Sequence, residues 1–323
     1  MESMTASMTV DQEHLATTAS VDKERIPPKI VAVASGKGGV GKTLSSFGLG
    51  WYLARSGYRV VVVDLDFGVG NLHLSAGIGR VDRSLDSFLS GSVTTLNDLV
   101  VPMEDNQKLA IVPAAGRQSS ITGFSEQAKH RLLGALPGLD ADLVFLDIGA
   151  GSSQDNIDFF LGADHRLAIA TADLSAMTAL ISFLKKALIH HVIDLIENAH
   201  PGLIKTCGEE PVRVADIFNV VKHRLGEDVA RQLIGAGLRQ FQPAVILNRV
   251  AEGDLAQVER VNKNLMRHLS NAATVLGTIP EDDAVTRCRR MGQNFLQRFP
   301  ESSAAKALAA VTSHWQERYL FVD

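Results

Sequence analysis

Two lysines stand in one glycine-rich stretch of the sequence, VASGKGGVGKTLSS at residues 33–46. The second, Lys42, belongs to the spacing G-x-x-x-x-G-K-[ST], which begins at Gly36, ends at Thr43 and is typical of phosphate-binding loops. In such loops the lysine holds the β- and γ-phosphates of a nucleotide, and the threonine hydroxyl ligates Mg²⁺. The first lysine, Lys37, is more than a single phosphate site requires.

The glycines of this loop allow backbone N–H groups to converge on phosphate oxygens at the N-terminus of a helix. The alternative is a glycine-rich turn that binds nothing. An apolar strand before the loop and a helical pattern after it favour the phosphate site. The loop residues predicted to contact nucleotide are Gly36, Gly38, Gly39, Val40, Gly41, Lys42, Thr43 and Leu44.

Acidic residues follow two further apolar runs. Asp64 and Asp66 end VVVVDLD and point to the same side for as long as the strand persists. Asp66 is the candidate for orienting an attacking water, with Asp64 in support. Asp147 ends LVFLD, the form of a Walker B strand, and joins Thr43 as a candidate Mg²⁺ ligand. The alternative for each of these acids is a place in an exposed turn.

The elements that must position these residues are strands alternating with helices. Short apolar runs predict strands at KIVAVAS, YRVVVVDLD, KLAIVPA, ADLVFLD, HRLAIATA, PAVILNRV and ATVLGTIP. Helical patterns lie around residues 125–136, 175–198 and 252–270. This alternation predicts an α/β fold, a doubly wound, mainly parallel sheet with helices on both faces.

Parallel sheets of this kind bind ligands beyond the carboxyl ends of their strands. Gly36, Asp64 and Asp147 each stand at such an end, and so does Asn248, whose amide could read an adenine edge or could be a turn residue. Together they predict one nucleotide pocket.

Two segments define the domain organisation. Residues 1–28 are polar and predict a flexible arm. Residues 29–323 predict a single domain with a helical insertion at about 199–240.

The motifs together resemble the MinD/ParA family of P-loop ATPases over residues of about 29–310. SGKGGVGKT resembles its deviant Walker A loop, VVVDLDFGVGNLH its second signature and LVFLDIGAG its Walker B strand. LGTIPEDDAV resembles its adenine-side loop, which adds Pro280 and Glu281 to the expected contacts. The resemblance implies an ATP- and Mg²⁺-dependent homodimer in which Lys37 reaches the phosphates bound by the other subunit. The implied catalytic residues are Lys37, Lys42, Asp64 and Asp66.

Within this family, D-x-D-x-G-x-x-N-L and LDIGAG are most similar to the MinD-like branch that contains the flagellar-number regulator FlhG. The resemblance implies a slow ATPase that controls the placement or number of a structure such as the flagellum. Its expected partner is an FlhF-like GTPase or a flagellar component. Two departures are TADLSAM at 171–177, where relatives carry Thr-Pro-Glu, and DQEHLA at 11–16, which matches only Asp11 and Gln12 of the activator motif of the branch.

Other activities remain as alternatives. An arginine cluster could contact DNA in a ParA-type partition or cargo-positioning protein, or could be a solvated face, and DNA is not the expected partner. Its members are Arg287, Arg289, Arg290 and Arg298. A nucleotide-binding adaptor that no longer hydrolyses ATP is a further alternative. Relatives that handle electrons or iron–sulfur clusters need cysteines that DIGAGSSQDN lacks.

Composition is that of an ordinary globular chain, with 46% hydrophobic and 21% charged residues and a net charge of −4 that opposes nucleic-acid binding by bulk charge. Its two cysteines suit a reducing cytoplasm, and neither a signal peptide nor a membrane-spanning run is recognisable.

The C-terminal segment places Leu308, Val311, Trp315 and Tyr319 on one helical face with few cations nearby. This favours packing on the domain over peripheral membrane contact, which remains the alternative.

Overall fold

The computed structural model describes residues 26–67, 70–114, 124–204, 211–251, 255–269 and 273–320. Its centre is an eight-stranded sheet in the order β3-β4-β2-β5-β1-β6-β7-β8. The strands are β1 Lys29–Ser35, β2 Val60–Leu65, β3 Val101–Met103, β4 Asn106–Val112, β5 Leu143–Ala150, β6 His165–Thr171, β7 Ala244–Val250 and β8 Thr274–Pro280.

Every strand pair of this sheet is parallel except β3 with β4. The central strands are buried on both faces, as their continuous apolar runs predict. The doubly wound, mainly parallel sheet expected from the sequence is therefore confirmed. β3 was not predicted, because three residues around Pro102 carry no period that marks a strand.

Helices cover both faces of the sheet. They are α1 Lys42–Arg55, α2 Leu72–Ser75, α3 Leu85–Leu89, α4 Glu126–Ala135, α5 Gln154–Leu161, α6 Leu174–Ala199, α7 Val214–Leu225, α8 Glu227–Gln240, α9 Leu255–Leu269, α10 Asp283–Met291, α11 Phe295–Arg298 and α12 Ser303–Tyr319. Two apolar cores result, one between the sheet and α1 with α12, the other between the sheet and α4 to α9. The expected insertion at about 199–240 corresponds to α7 and α8, which pack beside α6.

The terminal helix α12 packs on the sheet. Leu308, Val311 and Trp315 are buried, and the Trp315 and Tyr319 rings both contact the ring of His165 at the start of β6. The expectation that this segment packs on the domain is confirmed. Among the described helices, none combines the length and the apolar character needed to cross a membrane.

Candidate nucleotide-binding site

The glycine-rich loop runs from the end of β1 to the start of α1, at the carboxyl edge of the sheet. Gly39 and Gly41 have φ angles of 78° and 93°, in the left-handed region that favours glycine. At Gly36 the constraint is steric, because a Cβ atom there would lie 2.2 Å from the backbone carbonyl carbon of Ala179 in α6. Gly38 and Gly39 are exposed, so the turn of the loop is open to a ligand.

Lys42, the first residue of α1, points into the protein rather than into solvent. Its Nζ donates to Asp147 Oδ1 at 2.9 Å, and both side chains are buried. Ser46, one turn later in α1, also donates to Asp147 Oδ1, at 3.0 Å. The other carboxylate oxygen, Asp147 Oδ2, is buried and has no hydrogen-bond partner among the described residues. This arrangement leaves one buried acceptor oxygen for a further donor or a metal-bound water. Asp147 lies within β5, which continues to Ala150, and not at its end as the sequence predicted.

Asp64 lies beside Asp147, because the two residues are paired in register on β2 and β5. Asp64 is buried, accepting hydrogen bonds from the Asp66 and Leu72 N–H groups. Burial raises the pKa of its carboxyl group, and the negative charge of Asp147 raises that pKa further. Two buried carboxylates side by side favour a positive charge between them.

The placement of Asp66 differs from the expectation in one respect. β2 ends at Leu65, so Asp66 stands beyond the strand and does not share a strand face with Asp64. Asp66 is half-exposed and its N–H bonds Asp64, which places it on the loop that leaves the sheet edge. The alternative of an exposed turn acid does not hold for Asp64 or Asp147, since both are buried.

Lys37 is exposed, in contrast to Lys42. Its Nζ donates to the Ser175 hydroxyl at 3.0 Å, and Ser175 lies in the first turn of α6. This turn lies in the stretch TADLSAM at residues 171–177. The two lysines of the loop therefore have different environments, one inside the fold and one on its surface.

Asn248, two residues before the end of β7, contacts the loop from the other side. Its Nδ2 donates to the Val40 carbonyl at 2.8 Å, and its Oδ1 accepts from Arg249 N at 3.0 Å. A Cβ atom at Gly41 would lie 2.0 Å from Asn248 Nδ2, so this contact also requires glycine. The adenine contact of Asn248 stays a prediction, as do those of Pro280, which ends β8, and of the exposed Glu281.

These residues fit a nucleotide with Mg²⁺. The glycines before α1 expose backbone N–H groups to a ligand. The first two residues of α1, Lys42 and Thr43, supply a cation and a half-buried hydroxyl. The unsatisfied Oδ2 of Asp147 is the kind of oxygen that Mg²⁺ binds directly or through water. The structure places Gly36, Lys42, Asp64, Asp147 and Asn248 at one edge of the sheet, and their contacts with a nucleotide stay predictions.

Two hydroxyl contacts at this site were not predicted. Ser46 follows Lys42 by four residues, so the same-face spacing of a helix was the signal that could have indicated it. Ser175 lies far from Lys37 in sequence, and only the approach of α6 to Gly36 brings them together. The sequence carries no signal for that contact.

A second charged cluster lies away from the loop. Lys129 of α4 is buried and pairs with Glu126, Asp155 and Asp158, which ties α4 to α5. These carboxylates are close enough together to suggest a cation site, but the Lys129 ammonium group already pairs with all three. The cluster is therefore explained by the packing of two helices.

Comparison with known proteins supports a nucleotide site. Residues 31–295 match the family model described as the CobQ/CobB/MinD/ParA nucleotide binding domain. The septum site-determining protein MinD of Escherichia coli K12 is 27% identical over 266 residues, covering 82% of this chain and 83% of that protein.

Solved structures show the same fold. Pyrococcus horikoshii MinD complexed with Mg-ADP is 20% identical, with a TM-score of 0.59 over 90% of this chain and 97% of that one. MinD in the MinC:MinD cell division complex of Aquifex aeolicus is 18% identical, with a TM-score of 0.60 over 91% of this chain and 98% of that one.

Proposed function

The chain belongs to the CobQ/CobB/MinD/ParA nucleotide-binding family, and on that basis we propose that it is an ATP-operated dimerisation switch with slow, Mg²⁺-dependent hydrolysis. The observation that carries this proposal is that the two lysines of the loop lie in different environments. Lys42 is buried against Asp147, inside its own subunit, whereas Lys37 is exposed, donates to the Ser175 hydroxyl and lies near Asp173 at the protein surface. A lysine so placed is free to move to a phosphate group of another subunit.

The roles of the other residues follow from their positions. Lys42 and the N–H groups of the loop bind phosphates, and Thr43 and Asp147 hold Mg²⁺. Asp66, on the loop past β2, orients the attacking water, and Asp64 supports Asp66 and Asp147. Lys37 of the second subunit offsets negative charge that develops in the transition state. Slow turnover suits this role, because the dimer must last long enough to recruit a partner.

We further propose which cellular process this switch controls. The motifs around Asp64 and Asp147 are most similar to those of the FlhG branch, which favours control of flagellar placement or number in the cytoplasm, with transient contact at the membrane. The solved relative that is bound to MinC supports a protein partner in general. We assign partner contact to the N-terminal arm at residues 1–28, whose Asp11 and Gln12 lie outside the described residues.

A ParA-type partition protein is the second candidate. Arg289, Arg290 and Arg298 are exposed on α10 and α11, and Arg287 lies over the Phe299 ring. If these arginines bind DNA, affinity must fall steeply as salt rises, because bound counterions are released. Binding to DNA that is strong, salt-dependent and lost on charge reversal of Arg289 and Arg290 would favour this candidate.

Analytical sedimentation with nucleotides tests the switch. We expect the hydrolysis-deficient Asp66→Ala protein to be a dimer with ATP and Mg²⁺ and a monomer with ADP or without nucleotide. Wild type should turn ATP over slowly and return to monomer. A monomer under all conditions would contradict the switch, and ATP binding without turnover in wild type would favour the non-hydrolysing adaptor.

A further inference from the structure

Ser46 lies beyond the last residue of the phosphate-loop pattern, which therefore gives its hydroxyl no role. Ser46 is fully buried in α1 and lies 3.0 Å from Asp147 Oδ1. Its Oγ is also 3.0 Å from the backbone carbonyl of Lys42, the acceptor one turn earlier in the same helix. A serine hydroxyl carries a single proton, so it donates to one of these acceptors at a time.

The donors around Asp147 divide unequally between its two oxygens. Oδ1 accepts from both Lys42 Nζ and Ser46 Oγ, whereas Oδ2 is buried and unsatisfied in the described part of the chain. In the proposed function the Lys42 ammonium group binds phosphate, so it moves away from Asp147. The Ser46 hydroxyl is then the side-chain donor that remains on Asp147 Oδ1.

We propose that Ser46 is a positioning residue that keeps Asp147 Oδ1 occupied, so that Oδ2 is the oxygen presented to the Mg²⁺ site. A buried carboxylate that lost both donors beside Asp64 would no longer be held in one orientation, because no hydrogen bond would fix its position. The Ser46 hydroxyl prevents this. It can do so at little cost, since it returns to the Lys42 carbonyl whenever Asp147 moves away.

This inference rests on the proposed function, because it assumes that nucleotide and Mg²⁺ bind at this site. It predicts a specific defect. Removing the hydroxyl should weaken the part of nucleotide binding that depends on Mg²⁺, and leave binding without Mg²⁺ largely intact. Groups that orient metal ligands typically change metal affinity about 10- to 100-fold when they are lost.

The neighbouring Ser45 supplies a matched control. It is equally buried, and its hydroxyl donates to the Gly41 carbonyl at 3.1 Å, whereas in the described part of the chain the donors to Asp147 Oδ1 are Lys42 and Ser46. Ser45→Ala and Ser46→Ala therefore remove the same atoms from adjacent positions of one helix. Ser46→Thr retains the hydroxyl and is the conservative variant.

The experiment is calorimetric titration of each protein with ADP, once in EDTA and once in excess Mg²⁺. The dissociation constant in EDTA divided by the dissociation constant in Mg²⁺ measures how much Mg²⁺ strengthens ADP binding. We expect this quotient to fall about tenfold or more in Ser46→Ala and to be unchanged in Ser45→Ala. A Ser46→Thr protein that melts like wild type should recover it.

Two outcomes would overturn the assignment of Ser46 alone. One is a Ser46→Ala protein whose Mg²⁺ contribution equals that of wild type, and the other is a Ser46→Ala protein that loses equal affinity with and without Mg²⁺. The second would mean that Ser46 supports the loop and not Asp147. A wild-type protein whose ADP affinity does not respond to Mg²⁺ would overturn the Mg²⁺ part of the proposed function as well.

Discussion

Lys42 Nζ lies 2.9 Å from Asp147 Oδ1, so the cation assigned to phosphate and the carboxylate assigned to Mg²⁺ neutralise each other. Both side chains are buried, and Asp64 lies on the adjacent strand. The fold therefore holds these two opposite charges as a buried ion pair. In the proposed function, nucleotide with Mg²⁺ would replace this internal pair with a phosphate for the lysine and a metal for the carboxylate.

The first prediction concerns the stability of this pair. Lys42→Met keeps the side-chain stem and removes the charge, which leaves Asp147 buried without its cation. The free energy of unfolding in urea, without nucleotide, should fall by about 3 kcal/mol, the scale for breaking a buried ion pair. The double variant Lys42→Met/Asp147→Asn should recover part of this loss. A single variant as stable as wild type would show that the pair contributes nothing to the resting fold.

The second prediction separates binding from turnover. Asp66→Ala should bind ATP with Mg²⁺ as wild type does, since Asp66 stands beyond the sheet and outside the loop that holds the phosphates. Hydrolysis should be lost, because the water loses the group that orients it. Phosphate release and ATP affinity are measured on the same preparation. Turnover at the wild-type rate would remove Asp66 from the mechanism.

The third prediction concerns Lys37. Lys37→Ala should leave the nucleotide affinity of the monomer intact, while dimerisation and hydrolysis fall together. A charge-assisted contact contributes roughly 1.5–3 kcal/mol at each of two symmetric sites, which corresponds to roughly two to four powers of ten in the dimer constant. The test is sedimentation of Asp66→Ala with ATP, with and without Lys37→Ala.

Ser175→Ala is the control for this measurement. It removes the partner that holds Lys37 on its own subunit, so it should leave ATP-driven dimerisation intact or strengthen it. Equal dimerisation of the proteins with and without Lys37 would show that this lysine acts within its own subunit or not at all.

The fourth prediction is a pH dependence of stability. The pKa of Asp64 is raised in the folded protein, so above the ordinary value for aspartic acid, about 4, the folded chain keeps a proton that the unfolded chain releases. Its contribution to the free energy of unfolding is therefore lost as the pH rises toward the folded pKa. The difference in unfolding free energy between wild type and Asp64→Asn should shrink or reverse across this range. A difference that is constant with pH would contradict the raised pKa.

The sequence was sufficient to predict which strands carry the residues of this site, but not which atoms those residues contact. Apolar runs predicted the strands, and the carboxyl-terminal parts of these strands place Asp64, Asp147 and Asn248 at one edge of the sheet. The Asn248 contact with Val40 could not be predicted, because an amide at a strand end bonds whichever backbone approaches it. The position of Asp66 depended on where β2 ends, and single-residue boundaries are the least predictable feature of a strand.

The short strand β3 has a consequence for how copies of this chain can meet. It forms one margin of the sheet, opposes β4 over only a few residues and carries an exposed proline, Pro102, which has no N–H to offer to a strand from outside. Short, proline-bearing margins discourage sheets from joining side by side into aggregates. A margin that discourages strand addition leaves contacts between copies of this chain to other surfaces, as the proposed nucleotide-driven dimer requires.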